Sequence, residues 1–189
     1  FCMEANVRLK AFRRRMLGEE DQRKLSLAME SLSKLPIEII DGSKNTSQIR
    51  SMISKYIKNN QKMIVFIDFL TLITDYPNLE DHRRYGAIAQ NLQRMAIEFN
   101  IPIVTLAQLS RKVEERKDKR PVLSDLRESG KIEEAADKVI FLYREEYYTG
   151  ENKGITEVIT AKNRDGEIGT IELCWIPEVM QFKNIATQR

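Results

Sequence analysis

Apolar residues recur every three or four positions in several stretches of the chain, which is the spacing of one face of an α-helix. This pattern predicts helices over residues 5–16, 19–35, 46–57 and 81–99. Pro36 would end the second of these helices, and Thr46 can cap the start of the third. We therefore expect amphipathic helices over much of the first half of the chain.

Short, almost continuously apolar segments predict buried β-strands at residues 37–40, 63–68 and 101–108. Further strand patterns follow one another near the carboxyl terminus, at residues 138–144, 155–164, 169–175 and 179–184. Strands that alternate with helices favour a mostly parallel sheet flanked by helices, and the consecutive strands favour an antiparallel extension. The sequence therefore predicts an α/β fold, in which ligands bind at the carboxyl ends of the strands.

Composition and charge set broad limits on this picture. With 189 residues and 42% hydrophobic content, the chain has the size of one globular domain, residues 1–189. The net charge is only +3, so two basic clusters, at residues 8–15 and 111–120, matter more than the total. Cys2 and Cys174 form no disulfide framework, no apolar segment has the length of a membrane span, and no signal peptide is visible. We expect a soluble, cytoplasmic protein.

Polar residues at predicted strand ends are the candidates for chemistry. Asp68 ends the strand MIVFID, where a carboxylate can hold Mg²⁺ against the phosphates of a nucleotide, although alone the pattern is more typical of a strand-end turn. Gln108 closes IPIVTLAQ and can sense a phosphate or a bound water, or be a surface glutamine. Glu4 ends the possible strand FCME and can act as a general base, or be an ordinary glutamate in a first helical turn.

Several segments together resemble the carboxyl-terminal motor domain of DnaB-type replicative DNA helicases. They are, in this order, MIVFIDFLTLI, IPIVTLAQLSRKVEERKDKRPVLSDLRESGKIEEAADKVIFLYREEYY and ITAKNRDGEIGTIEL, and the resemblance extends from FCME to WIPEVMQF. It implies a RecA-like P-loop NTPase core and a ring hexamer that encircles single-stranded DNA. It also implies ATP and Mg²⁺ bound between subunits, translocation that unwinds duplex DNA, and primase and a helicase loader as further partners.

The resemblance assigns roles to residues of this sequence. Glu4 matches the catalytic glutamate of the family, Asp68 its aspartate on the magnesium side, and Gln108 the glutamine that links the phosphate site to the DNA loops. Lys162 and Arg164 match the basic pair that reaches the γ-phosphate of a neighbouring subunit.

A charged loop within residues 122–137 would be read by itself as a solvated surface loop. By resemblance, Arg127, Glu128 and Gly130 in this loop line the central channel and hold the DNA backbone. The residue types suit that role, because an arginine supplies positive charge and a glycine lets backbone N–H groups approach a phosphate closely.

One departure from the family is large. The phosphate-binding loop G-x-x-x-x-G-K-S/T is absent, since the one Gly-Lys pair, Gly130 and Lys131, is followed by Ile132 and has Asp125 at the position of the first glycine. The first core strand is missing with it, so we expect the chain alone to be inactive as an ATPase. The alternatives are a naturally shortened relative that binds DNA or a helicase ring, and a RecA-like recombinase or regulatory ATPase, against which the segment LSDLRESGKIEEAAD argues.

Overall fold

The computed structural model describes residues 1–57, 62–126 and 130–185. The helices are α1 Cys2–Ala5, α2 Leu9–Arg13, α3 Glu19–Ser33, α4 Thr46–Ile57, α5 Asp81–Phe99, α6 Gly130–Ala135 and α7 Glu146–Thr149. The strands are β1 Val65–Ile67, β2 Ile103–Thr105, β3 Lys138–Tyr143, β4 Ile155–Asn163, β5 Gly169–Ile176 and β6 Gln181–Asn184. Short 3₁₀ turns lie at Leu70–Leu72, Arg111–Glu115 and Leu123–Asp125.

Contacts between residues divide the chain into two compact units. Unit 1 contains Phe1–Ile40, Leu142–Ile159 and Thr170–Arg189, and unit 2 contains Asp41–Phe141 and Thr160–Gly169. Among the described residues, no helix is long and apolar enough to span a membrane.

In unit 1, the helix predicted over residues 5–16 is confirmed only as α2, Leu9–Arg13, because the chain turns at Asn6. The backbone of Asn6 is left-handed, with φ 51°, a conformation that asparagine tolerates better than most residues. It ends α1 before α2 begins at Leu9. The helix predicted over 19–35 is confirmed as α3, and its residues Leu25 and Ala28 form a small core with Val7.

The strand predicted at residues 37–40 is also wrong. The segment has no regular structure, and Ile39 is 83% exposed. Apolar residues with high strand propensity form a strand only where a neighbouring strand satisfies their backbone groups. No strand among the described residues pairs with this segment.

In unit 2, the helices predicted over 46–57 and 81–99 are confirmed as α4 and α5. The cap of α4 is Asn45 instead of Thr46. The Asn45 side chain accepts a hydrogen bond from the Gln48 N–H at 2.8 Å, and the Gln48 side chain accepts one from the Asn45 N–H at 3.0 Å. Thr46 instead donates its N–H and hydroxyl to the Asp75 carboxylate at 2.6 and 2.7 Å.

The core of unit 2 lies between these helices and a parallel pair of strands. β1 and β2 pair in parallel from Val65 with Ile103 to Ile67 with Thr105. Val65, Ile67 and Ile103 pack against buried residues of α4 and α5. The opposite face is open, since Phe66 between them is 70% exposed. The prediction that both faces are covered therefore holds for one face of this pair within the described residues.

The strands after α6 form a four-stranded sheet in the order β3-β4-β5-β6. β5 and β6 are antiparallel, with Leu173 opposite Asn184 and Ile176 opposite Gln181. Buried and exposed residues alternate along β3, as expected for a strand with two different faces. Helices, a parallel strand pair and this antiparallel end confirm the α/β fold class.

Candidate functional site

The parallel pairing of β1 and β2 brings two polar strand ends to one edge of unit 2. Ile67 and Thr105 are the last residues of the two strands and lie opposite each other. Asp68 follows Ile67 directly and is exposed, and its peptide bond to Phe69 is cis. Its carboxylate is therefore accessible to a cation at the carboxyl end of the strand.

Gln108 lies beyond the end of β2, three residues after Thr105, because the strand is shorter than the predicted 101–108. The Leu70 N–H donates to the Leu106 carbonyl at 2.8 Å, which keeps the two chain segments together after the strands have ended. Gln108 and Thr71 line one small depression. The structure thus brings Gln108 next to the turn that follows Asp68.

An isolated antiparallel bridge joins the segment after Gln108 to the start of the charged loop. Leu109 pairs with Leu126, and the Ser110 N–H donates to the Asp125 carbonyl at 2.7 Å. Gln108 and residue 127 are therefore each one residue away from the same bridge. This gives a direct backbone connection between the strand ends and the segment in which DNA-contacting residues were predicted.

Arg116 and Asp125 form an ion pair that the sequence interpretation missed. Residues 111–120 were read as a basic cluster, but the Arg116 guanidinium contacts both oxygens of the buried Asp125 carboxylate, at 2.9 and 2.7 Å. A signal was present, because Asp125 lies between Leu123 and Leu126 in LSDL. A carboxylate in such an apolar setting is buried only with a charged partner.

The predicted DNA-contacting residues are only partly described. Arg127 and Glu128 lie outside the described residues. Gly130 is the first residue of α6 and is exposed. A Cβ at Gly130 would meet nothing within 4 Å, and its backbone is not left-handed. The packing of the chain therefore does not require glycine at this position.

Lys162 and Arg164 both reach the carboxyl end of α6. The Lys162 Nζ donates to the Glu133 carbonyl at 2.6 Å, and Arg164 donates to the Glu134 carbonyl at 3.4 Å and to the Asp137 carboxylate at 2.6 Å. Cations at the carboxyl end of a helix satisfy its last carbonyls. The two side chains therefore contact neighbouring acceptors at the same end of α6.

Glu4 belongs to unit 1, and its local structure differs from the prediction. FCME is not a strand, because Cys2–Ala5 is the short helix α1. Glu4 is an exposed acidic residue in the first turn of that helix, as in the second interpretation given for it.

The two basic clusters differ in the structure. Three cations in residues 111–120 contact nearby acceptors: Arg116 pairs with Asp125, the Arg120 side chain pairs with Asp118, and Lys119 donates to the Glu114 carbonyl. The cations of residues 8–15 are exposed, and none forms an ion pair with any other residue that the structure describes. They are Arg8, Lys10, Arg13, Arg14 and Arg15.

A metal ion bound here would have few protein ligands. Within residues 1–57, 62–126 and 130–185, no three His, Cys, Asp or Glu side chains are grouped as a metal site. Asp68 is placed to contribute a carboxylate oxygen at the end of β1. One carboxylate fits Mg²⁺ bound together with a nucleotide, because this ion usually keeps several waters and binds phosphate oxygens.

Solved structures define the class of fold. One match is a solved structure titled "The Structure Of A DnaB-Like Replicative Helicase And Its Interactions With Primase". Its TM-score is 0.93 and its sequence identity 38%, and the match covers 98% of this chain and 47% of that chain. A second solved structure, an ATPase domain, matches with the same TM-score and identity over 68% of its length. The fold is that of a helicase ATPase domain.

The family model described as "DnaB-like helicase C terminal domain" matches residues 1–184, and the chain belongs to this family. It is 41% identical over 189 residues to "Replicative DNA helicase DnaB" of Geobacillus stearothermophilus and to "Replicative DNA helicase DnaC" of Bacillus subtilis. Each match covers 97% of this chain and 42% of the relative. The chain thus spans less than half the length of these relatives.

Proposed function

We propose that these residues are a portion of a replicative DNA helicase that unwinds duplex DNA by ATP-driven translocation on single-stranded DNA. The observation that carries the proposal is the connection between two predicted sites in unit 2. Asp68 and Gln108 lie at the carboxyl ends of paired parallel strands, and Leu109 bridges to Leu126 at the edge of the predicted DNA loop. A motor needs such a connection, because nucleotide state and DNA grip must change together.

On the nucleotide side, Asp68 would contribute an oxygen ligand to Mg²⁺, and Gln108 would contact the γ-phosphate or a water next to it. Mg²⁺ would neutralise charge on the phosphates. Glu4 would accept a proton from the attacking water. The phosphate-binding loop is absent from the 189 residues, so ATP would need groups that this chain does not contain.

On the DNA side, Arg127, Glu128 and Gly130 would contact the backbone of a single strand. The absence of any structural need for glycine at position 130 supports this role, since a close approach of phosphate to backbone N–H groups gives another reason for glycine. α6 begins at this residue and its other end is held by Lys162. DNA contact at the amino-terminal end of α6 would therefore affect the contact with Lys162 at its carboxyl-terminal end.

Arg164 would act on the nucleotide of a neighbouring subunit. Its planar, permanently charged guanidinium suits the charge that develops on a transferring phosphoryl group, and Lys162 adds a second cation beside it. This role implies a ring of identical subunits, for which a homo-hexamer is proposed from the family. Primase and a helicase loader are proposed as further partners, and the cytoplasm as the location.

The test is ATP hydrolysis by the longest natural reading frame that contains these residues, hereafter the full-length protein. We expect Mg²⁺-dependent ATPase activity that single-stranded DNA stimulates, and its loss in Asp68→Ala. Asp81→Ala is a matched control, because Asp81 is an aspartate at the start of α5. It should retain the activity of the parent.

The 189-residue chain by itself should neither bind ATP tightly nor hydrolyse it. Magnesium-dependent turnover by the purified chain, above the level of its Asp68→Ala variant, would contradict this. A full-length protein that binds single-stranded DNA without any ATPase activity would favour the shortened DNA-binding relative instead.

A further inference from the structure

We propose that Arg116 and Asp125 are a positioning pair that keeps the end of β2 and the entrance of the predicted DNA loop in one fixed register, so that DNA binding is transmitted to the nucleotide site. The coupling role rests on the proposed function, whereas the positioning role concerns the structure of this chain alone. Neither side chain is proposed to touch DNA or nucleotide.

Asp125 lies where the two segments meet. It is only 3% exposed, and its carboxylate accepts hydrogen bonds from Arg116 and from the Val122 N–H, the latter at 2.8 Å. Its carbonyl accepts the Ser110 N–H at 2.7 Å. The residue therefore fixes its own 3₁₀ turn through its side chain and the segment after Gln108 through its backbone.

Arg116 connects this junction to the rest of the loop 111–121. Besides the two contacts with Asp125, its guanidinium donates to the Arg120 carbonyl at 2.7 Å and to the Asp118 carbonyl at 3.3 Å. A planar guanidinium can make these contacts at the same time because its donors point in fixed directions. A lysine would keep the charge but could not reproduce the two parallel bonds to the carboxylate.

The position of Gln108 follows from this junction. The bridge between Leu109 and Leu126 is flanked by the Ser110 to Asp125 hydrogen bond on one side. On the other side the chain leads to Gln108 in one direction and to residue 127 in the other. Adjacent strand residues are separated by only about 3.3 Å, so a shift of one residue in this bridge would misplace Gln108 by that distance.

Stability alone gives a weak reason for a buried ion pair at this place. Apolar residues of similar volume are often as stabilising, because two charges must be desolvated to form the pair. An ion pair with two parallel bonds does specify one geometry, which apolar contacts do not. We therefore infer that the pair fixes the register of the two chain segments, and that added stability is not its main role.

The first test measures register in the 189-residue chain by amide hydrogen exchange. Arg116→Lys should raise the exchange rate of the Ser110 N–H at least about tenfold, because the carbonyl that accepts it is no longer held. The Leu106 N–H, which donates to Ile67, should keep its protection. Arg120→Lys is the matched control, since Arg120 pairs with Asp118 in the same loop but at the surface.

The second test measures coupling in the full-length protein. In Arg116→Lys we expect the ratio of DNA-stimulated to DNA-free ATPase rates to fall about 10- to 100-fold, since small misplacements of reacting groups have effects of this size. The DNA-free rate should fall by a smaller factor, because the misplacement of Gln108 affects both rates whereas the DNA loop acts only when DNA is bound. Arg120→Lys should leave both rates unchanged.

Several results would overturn the proposal. Equal Ser110 exchange in Arg116→Lys and Arg120→Lys would remove the positioning role. Increased exchange with an unchanged stimulation ratio would remove the coupling role, and an equal loss of both rates would indicate a purely structural pair. If DNA does not stimulate the parent, the proposed function and the coupling role both fail, while the exchange data still decide whether the pair sets the register.

Discussion

Two regions of unit 2 each hold an arginine against an aspartate, and they differ in burial. In the Arg116–Asp125 pair the side chains are 35% and 5% exposed, and in the Arg164–Asp137 pair they are 51% and 58% exposed. The shortest distances, 2.7 and 2.6 Å, are almost equal. Distance alone would therefore rank the two pairs as equivalent, although their surroundings predict opposite behaviour.

The difference arises from solvent. Removing one partner of a buried pair leaves a desolvated charge, whereas an exposed partner is solvated by water when it separates. Arg116 is therefore held in place, and Arg164 can exchange Asp137 for another anion at little cost. A residue proposed to reach a phosphate of a neighbouring subunit needs the second kind of pair.

The largest effect is expected at Arg164. In the full-length protein, Arg164→Ala should lower DNA-stimulated ATP hydrolysis by about 10³-fold or more, as for arginines that stabilise a transferring phosphoryl group from outside the site. Nucleotide affinity and ring assembly should remain close to those of the parent. A matched variant is Asp137→Ala, which removes the resting partner of Arg164 and should retain hydrolysis.

Mixed rings can decide whether Arg164 acts between subunits. Subunits with Arg164→Ala are combined with subunits in which Glu4→Ala removes the proposed base, and single-turnover hydrolysis is measured. Some interfaces of a mixed ring would contain both intact residues, so partial activity should return. If rings shown to be mixed recover no single-turnover activity, the role between subunits is wrong.

The next largest difference between the two pairs is expected in the free energy of unfolding. Arg116→Ala leaves the Asp125 carboxylate buried and unpaired, so the free energy of unfolding should fall by about 3–5 kcal/mol. Asp137→Ala removes one partner of an exposed pair and should change it by less than about 1 kcal/mol. Urea denaturation of the 189-residue chain measures both values. Similar losses in the two variants would mean that burial does not distinguish the pairs.

A smaller effect, on DNA binding, is expected at Arg127, which would bind a DNA phosphate and not a carboxylate of its own chain. In the full-length protein, Arg127→Ala should weaken binding to all single-stranded sequences alike. It should also reduce the slope of the salt dependence by roughly 0.7 for each DNA phosphate that the arginine neutralises. Arg8→Ala in the exposed basic cluster should change little. Equal slopes for Arg127→Ala and the parent would contradict the assignment to the DNA channel.

The smallest effect concerns Asp118, in the exposed pair of the same loop as Arg116. A hydrogen bond from the Arg120 backbone N–H, opposed by some desolvation and assisted by the charge of Arg120, lowers the pKa of Asp118 below its ordinary value. Because the pKa is lower in the folded state, the stabilisation is present above the unfolded pKa of about 3.9 and is lost as the pH falls through the folded pKa.

Urea denaturation at pH 7 and at low pH checks this expectation for Asp118. Asp118→Asn should be slightly less stable than the parent at pH 7, and the difference should shrink in acid. A difference that is independent of pH would show that the charge of Asp118 does not contribute.

Much of the fold follows from patterns that are local in the sequence. The apolar spacing predicted α3, α4 and α5 because each of these helices buries one continuous face, and such a face repeats every three or four residues. Strand pairing is not local, and this explains the failure at residues 37–40. The isoleucines there have the propensity for a strand, but a strand also needs a partner that the pattern cannot supply.

The sequence by itself determined the family, the α/β class, and the strand-end placement of Asp68, because a run of apolar residues followed by a carboxylate is readable without coordinates. Tertiary structure decided which charges are held and which are exchangeable. Arg116 and Arg164 are both arginines within charged segments. Arg116 contacts the buried carboxylate of Asp125, nine positions away, whereas Arg164 contacts the exposed carboxylate of Asp137. The strength of an ion pair depends on solvent access, and only the folded chain sets solvent access.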